Sequence, residues 1–122
     1  QVAIIACGPI LYTALLAARL LEREGIMSVV VNCHTIQPLD GKKITELAKK
    51  YGAVVTVEEH QVAGGLGGAV AELLARTHPT PMEFIGMQGT FGSSGSPEKL
   101  SLKYGMDVPS IVAAAKKAVA RK

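Results

Sequence analysis

Two hydrophobic rhythms alternate along this chain. Val2-Ala3-Ile4-Ile5-Ala6 is a short unbroken apolar run that Gly8-Pro9 ends. Leu11, Leu15, Ala18 and Leu21 then follow at helical spacing as far as Glu24-Gly25. Gly25 suits the left-handed backbone that closes many helices. Val29-Val30-Val31 is the second run, and Pro38-Leu39-Asp40 is a turn after it. Asp40 is placed to cap a helix from Lys42 to Tyr51, which Gly52 closes. The third run is Ala53-Val54-Val55-Thr56-Val57. A glycine cluster, Gly64-Gly65-Leu66-Gly67-Gly68, precedes a helical stretch from Ala69 to Arg76. Met82-Glu83-Phe84-Ile85 reads as a fourth strand. Ser96-Pro97 starts a helix that ends near Tyr104-Gly105, with serine as the cap and proline at the first helical position. Asp107 caps a last helix from Val108 to about Ala120.

Apolar runs without alternation are strands buried on both faces, as in a parallel sheet. Right-handed crossovers then distribute the helices over both faces. The pattern predicts one domain over residues 1–122, a three-layer α/β/α sandwich around a mainly parallel sheet of four strands. A first strand that begins at residue 2 is what a chain cut from, or following, something longer would show.

Composition sharpens this picture. With 122 residues, 48% hydrophobic, no tryptophan and five Phe and Tyr, the core must be aliphatic. The 19% charged content is too low for disorder, and two cysteines cannot form a disulfide scaffold. No run of 18 apolar residues predicts a membrane span, and Gln1-Val2-Ala3 lacks the basic start of a leader, so a cytoplasmic location is expected. The net charge of +3 is spread over Lys42-Lys43, Lys49-Lys50, Lys116-Lys117 and Arg121-Lys122. Such dispersed charge, with few aromatics, argues against a nucleic-acid partner. A mean hydropathy of +0.29 is high for a small free domain and implies that a partner covers part of the surface.

Ligands of parallel sheets gather at the carboxyl ends of the strands. There stand Cys7-Gly8, then Asn32-Cys33-His34, Glu58-Glu59-His60 and Gly86-Met87-Gln88. If the second and third strands flank the first, the crevice is lined by Gly8, Glu58, Glu59, His60 and the glycines Gly64, Gly65, Gly67 and Gly68. Glycines that open a helix after a strand suit phosphate held on free amides. They equally suit close approach of helix to sheet, and Glu58 and Glu59 would repel a polyphosphate. In either case Gly67 or Gly68 is expected where a side chain would collide or where φ is positive. Cys7, Cys33, His34 and His60 do not follow a zinc spacing, and no nucleophile has a visible base with its orienting group. His60 is either a titrating group or a histidine tying the loop to Glu58 or Glu59. The loop from Gly89 to Gly95 is either a partner contact or a simple connection.

Several short motifs, taken in order, resemble the C-terminal domain of transketolase and related thiamine-diphosphate enzymes over nearly the whole chain. They are Thr35-Ile36-Gln37-Pro38-Leu39-Asp40, Val57-Glu58-Glu59-His60, Gly64-Gly65-Leu66-Gly67, Ser94-Gly95-Ser96-Pro97-Glu98-Lys99-Leu100 and Tyr104-Gly105-Met106. The acid-acid-histidine form and the Ser-Gly-x-Pro element look like animal-type transketolases, or the C-terminal subunit of split bacterial ones. Deoxyxylulose-phosphate synthases and the β subunits of 2-oxo-acid dehydrogenases usually carry glycine or another residue where His60 stands.

The resemblance implies a domain or subunit of an enzyme that transfers two-carbon ketol units between sugar phosphates. Thiamine diphosphate and Mg would belong to the complete enzyme and be held by other domains. No catalytic, cofactor-binding or metal-binding residue is carried over to this chain. The implied role is assembly or regulation, inactive alone. The implied partners are the thiamine-diphosphate-binding domains or N-terminal subunit and a second copy in a homodimer, with no nucleic acid or membrane. The family's fifth, antiparallel strand precedes the segment that starts here, which leaves the outer edge of the second strand open. The alternatives are a stand-alone α/β module binding a small regulatory ligand, and the C-terminal domain of another thiamine-diphosphate enzyme.

Overall fold

Four strands form one parallel sheet in the order β2-β1-β3-β4. They are β1 (Val2–Ala6), β2 (Ser28–Asn32), β3 (Val54–Gln61) and β4 (Met82–Met87). The structure, a computed structural model, describes residues 1–33, 39–61, 65–87 and 106–122. The helices in that range are α1 (Leu11–Arg23), α2 (Gly41–Tyr51), α3 (Leu66–Thr77) and α4 (Val108–Ala120). The helix expected over Ser96 to Tyr104, and the loop from Gly89 to Gly95, lie outside the described residues.

The local signals act as the sequence predicts. The Asp40 carboxylate accepts from the Lys43 amide at 3.2 Å, and Asp107 accepts from Ser110 at 3.0 Å, so both cap the helices that follow them. Gly25 and Gly52 close α1 and α2 at φ of +82° and +77°, where a side chain would be strained.

Strand alternation sorts the core into two layers. Val2, Ile4 and Ala6 of β1 face α1 and α4, where they meet Ala14, Ala17, Ile111 and Ala115. Ala3 and Ile5 face α2 and α3, where they meet Ile44, Ala48, Leu66 and Val70. β1 is buried throughout because it has a strand on each side and a helical layer on each face. The expected three-layer architecture is therefore present, with four parallel strands.

Two boundaries and one helix face differ from expectation. β3 runs on through Glu58-Glu59-His60 to Gln61, past the apolar run. α3 starts at Leu66, so Gly67 and Gly68 are helical and need no positive φ. On α1 the inward face is Ala14, Ala17 and Leu21, while Leu15 is 46% exposed. That helix carries leucines on more than one face, so periodicity alone does not choose; the sheet takes Ala14 and Ala17, whose small size lets the backbones approach, together with Leu21.

Two substitutions test this core in opposite directions. Ile5, fully buried at the centre of the sheet, should lose about 2–5 kcal/mol on Ile5→Ala. Thr56 is buried and its hydroxyl has no hydrogen-bond partner among the described residues. Thr56→Val removes that hydroxyl at nearly constant volume and should raise stability by about 1 kcal/mol. Urea midpoints at unchanged slope measure both, and a loss on Thr56→Val would reveal a partner for the hydroxyl.

Candidate functional site at the carboxyl end of the sheet

β2 and β3 flank β1 on opposite sides, so the switch of chain direction falls between β1 and β3, as the crevice reading requires. The Cys7 amide donates to the Val57 carbonyl at 3.1 Å and holds the two strand ends together there. Gly8 follows at φ +85°, exposed, and its carbonyl accepts from the Leu11 amide at 3.1 Å to turn the chain into α1. The sharp turn is what requires glycine, since a Cβ at Gly8 would meet nothing within 4 Å.

Glu58 dominates the other wall. It is the one charged side chain buried among the described residues, at 1% exposure. Its Oε1 accepts from the Leu66 amide at 2.8 Å and its Oε2 from the Gly67 amide at 2.7 Å. The geometry follows from strand parity. Val54, Thr56 and Glu58 point to one face of β3, the face that α3 covers, and the adjacent Glu59 is exposed. At the start of a helix the first amides have no partner within the helix, and their dipoles sum to a partial positive charge. Gly65 is the residue at the cap position, in an extended conformation, and has no side chain with which to cap. The neighbouring strand supplies the cap instead, and the two amides in turn offset the desolvation of the carboxylate.

This arrangement decides between the two readings of the glycine cluster. The anion position at the start of α3 is occupied by the protein's own carboxylate, so a phosphate would have to displace Glu58. The described residues therefore do not fit the diphosphate of thiamine diphosphate at this helix start. No three His, Cys, Asp or Glu side chains that could hold a metal ion come together among the described residues.

Of the eight crevice candidates, Glu58, Gly65 and Gly67 meet at one junction, with Gly68 one residue further into α3. Gly8 lies across the β1–β3 boundary, and Glu59 is exposed. His60 belongs to β3 by its backbone, but its side chain, like Gly64, lies outside the described residues, and so does His34. What the sequence reading missed is the division of labour between the adjacent acids. The signal was available: a helix starting on glycines, with no Ser, Thr or Asp to cap it, follows a strand carrying an acid on its inward parity.

A second feature was outside the expected crevice altogether. A groove of about 570 Å³ runs between α1 and the open edge strand β2. Tyr12, Leu15, Leu16 and Met27 line it with large apolar side chains, Tyr12 at 69% and Met27 at 65% exposure.

The profile of the family described as "Transketolase, C-terminal domain" matches residues 1–111. The chain is 41% identical over 122 residues to the 6-deoxy-6-sulfo-D-fructose transketolase subunit SqwH of Clostridium sp. (strain MSTE9), spanning all of this chain and 38% of that protein. It is 39% identical over 114 residues to the 1-deoxy-D-xylulose-5-phosphate synthase of Desulforudis audaxviator (strain MP104C), covering 92% of this chain and 18% of that protein. A solved structure described as "Split gene transketolase, inactive beta4 tetramer" superposes with a TM-score of 0.93 at 44% identity, over 98% of this chain and 39% of that one. The chain thus spans well under half the length of these relatives.

The Glu58 junction makes a stability prediction. Glu58→Gln keeps the shape but turns one acceptor into a donor that faces an amide, and it removes the charge. A loss of about 2–4 kcal/mol is expected, the scale of a charge-assisted hydrogen bond plus an orphaned buried donor. Denaturant unfolding of Glu58→Gln and of the exposed neighbour Glu59→Gln measures it; equal and small losses would show that Glu58 does not hold α3.

Proposed function

Since this chain belongs to the family of transketolase C-terminal domains, we propose that it is the C-terminal assembly domain or subunit of a thiamine-diphosphate-dependent transketolase. That enzyme moves two-carbon ketol units between sugar phosphates, as in the pentose phosphate pathway, and is cytoplasmic. The cofactor and its Mg sit in partner domains or an N-terminal subunit, and the chain is inactive alone. Among the described residues no helix is long and apolar enough to cross a membrane.

The observation that carries this reading is how the polar groups are used. The best anion position at the carboxyl end of the sheet is filled by Glu58, while the α1–β2 face offers exposed Tyr12, Leu15, Leu16, Leu20 and Met27. A domain whose crevice is closed internally and whose outer helix is apolar is built to dock. β2 is an outermost strand of the described sheet, and an edge of that kind invites pairing or covering by a partner. The relative described as a β4 tetramer supports self-association, which we place at the level of a two-fold dimer or a multiple of it.

The likeness to a deoxyxylulose-phosphate synthase favours a second reading, in which the parent enzyme makes 1-deoxy-D-xylulose 5-phosphate. His60 weighs against it, because synthases of that kind usually carry another residue there.

Two experiments test these assignments. Calorimetric titration of the chain alone with thiamine diphosphate and Mg should give no binding heat, and ketol transfer should appear only when the thiamine-binding partner is added. Tight one-to-one binding would overturn the assembly role, and formation of 1-deoxy-D-xylulose 5-phosphate in place of ketol transfer would select the second reading. Sedimentation of the chain at micromolar concentration should show an associated species, and Leu15→Glu, at an exposed site, should shift it toward 12.8 kDa without changing the fold. A wild-type chain already at that mass would remove the docking face from the argument.

A further inference from the structure

The two cysteines of the chain are far apart in sequence and serve neither the Glu58 junction nor the α1–β2 face. The sheet brings them together. The β1–β2 ladder pairs Ala6 with Asn32 in parallel register. The Cys33 amide donates to the Ala6 carbonyl at 2.8 Å, so the ladder continues to the end of both strands. One step further along each strand places Cys7 beside Cys33. Their side chains share a face, because both pack against the layer built on Ala3, Ile5 and Ile44. Both are partly buried, and no disulfide joins them.

We propose that Cys7 and Cys33 form a dithiol that closes reversibly to a disulfide across the ends of β1 and β2, a modification site independent of the transketolase reading. Neighbouring strands lie about 4.7–4.9 Å apart, inside the range of roughly 4.4–6.8 Å that a disulfide requires between its α-carbons. The thiols stand one residue beyond the last register pair of β1 and β2, at the ends of the two strands. Partial burial keeps the pair within reach of a small oxidant while packing holds both sulfurs on one face.

The step is thiol–disulfide exchange with a small-molecule disulfide. One thiolate attacks the small disulfide, releases its first thiol and leaves a mixed disulfide on the protein. The neighbouring thiolate attacks the protein-bound sulfur, the mixed bond breaks and the second small thiol leaves. The Cys7 Sγ–Cys33 Sγ bond has formed. The two cysteines have lost two electrons and two protons, and the small disulfide has become two thiols that carry them.

The test uses the native protein containing this chain, treated with oxidised glutathione, quenched in acid, alkylated and digested with trypsin. The expected product is the peptide ending at Arg19 linked to the peptide from Glu24 to Lys42, free of glutathione and released by reductant. Cys33→Ser should stop at the first stage, with glutathione retained on Cys7, and Cys7→Ser should retain it on Cys33. Stable glutathione on either cysteine of the wild type would overturn the proposal, because an in-register neighbour should displace it. Two fully alkylated cysteines after treatment would overturn it as well. The wild-type measurement stands without the variants should either fail to fold.

Discussion

A carboxylate buried in an aliphatic domain is costly unless it is fully satisfied, and Glu58 is satisfied by two amides that would otherwise be orphans themselves. That exchange fixes more than one bond. It lets β3 continue past its apolar run into charged residues, and it lets α3 begin on glycines without a capping side chain of its own. It also fixes where the segment leaving β3 must end. The first turn of α3 is held against the sheet, which places Leu66, Val70 and Leu74 over Ile5 and Val54. The smaller of the two core layers is thus anchored by the two amide bonds to Glu58, and the other packs alanines closely against β1.

The same contact gives the end of the sheet its chemical character. In parallel α/β domains the switch point is where helix starts offer their free amides to anions. Here the topology creates that position and the sequence fills it from within. Polar residues in a crevice ordinarily mark a ligand site; paired to each other, they mark a joint. In the role proposed for this chain, that is the economy of a domain whose chemistry lies in its partners. Its carboxyl-end crevice is braced, and its recognition surface is turned to the side.

How much of this was legible in the residues depends on what carried each signal. Strand existence, parallel order and the helix caps were readable, because Asp40, Asp107, Gly25 and Gly52 act through their nearest neighbours in sequence. The start of α3 was not, because its cap comes from Glu58, eight residues upstream on the neighbouring strand. Residue-by-residue propensity disfavours helix at Leu66-Gly67-Gly68, and the tertiary partner Glu58 holds the first turn there. The Glu58–Glu59 pair was visible as chemistry, but its meaning rested on strand parity, which an apolar run ending at Val57 did not extend to. The motif resemblance reached the family through the order and spacing of several short motifs, none of which identifies it alone.

The inner and outer faces of α1 are both apolar. Ala14 and Ala17 face the sheet, where small size permits close approach, and Leu15, Leu16 and Leu20 face outward. A helix that needed only to cover β1 and β2 would carry its bulk inward and its charge outward. This one keeps Ala14, Ala17 and Leu21 inward yet also carries leucines outward, with Arg19 and Glu22 beside them as polar members of the groove. Each outward leucine fully covered by a partner would contribute about 1.5–3 kcal/mol, whereas left in water it contributes nothing to folding. Apolar side chains on both the inward and the outward face are the pattern of a helix shared between two packings. The fold is completed by the first, and the second is the docking that the proposed role in an enzyme assembly requires.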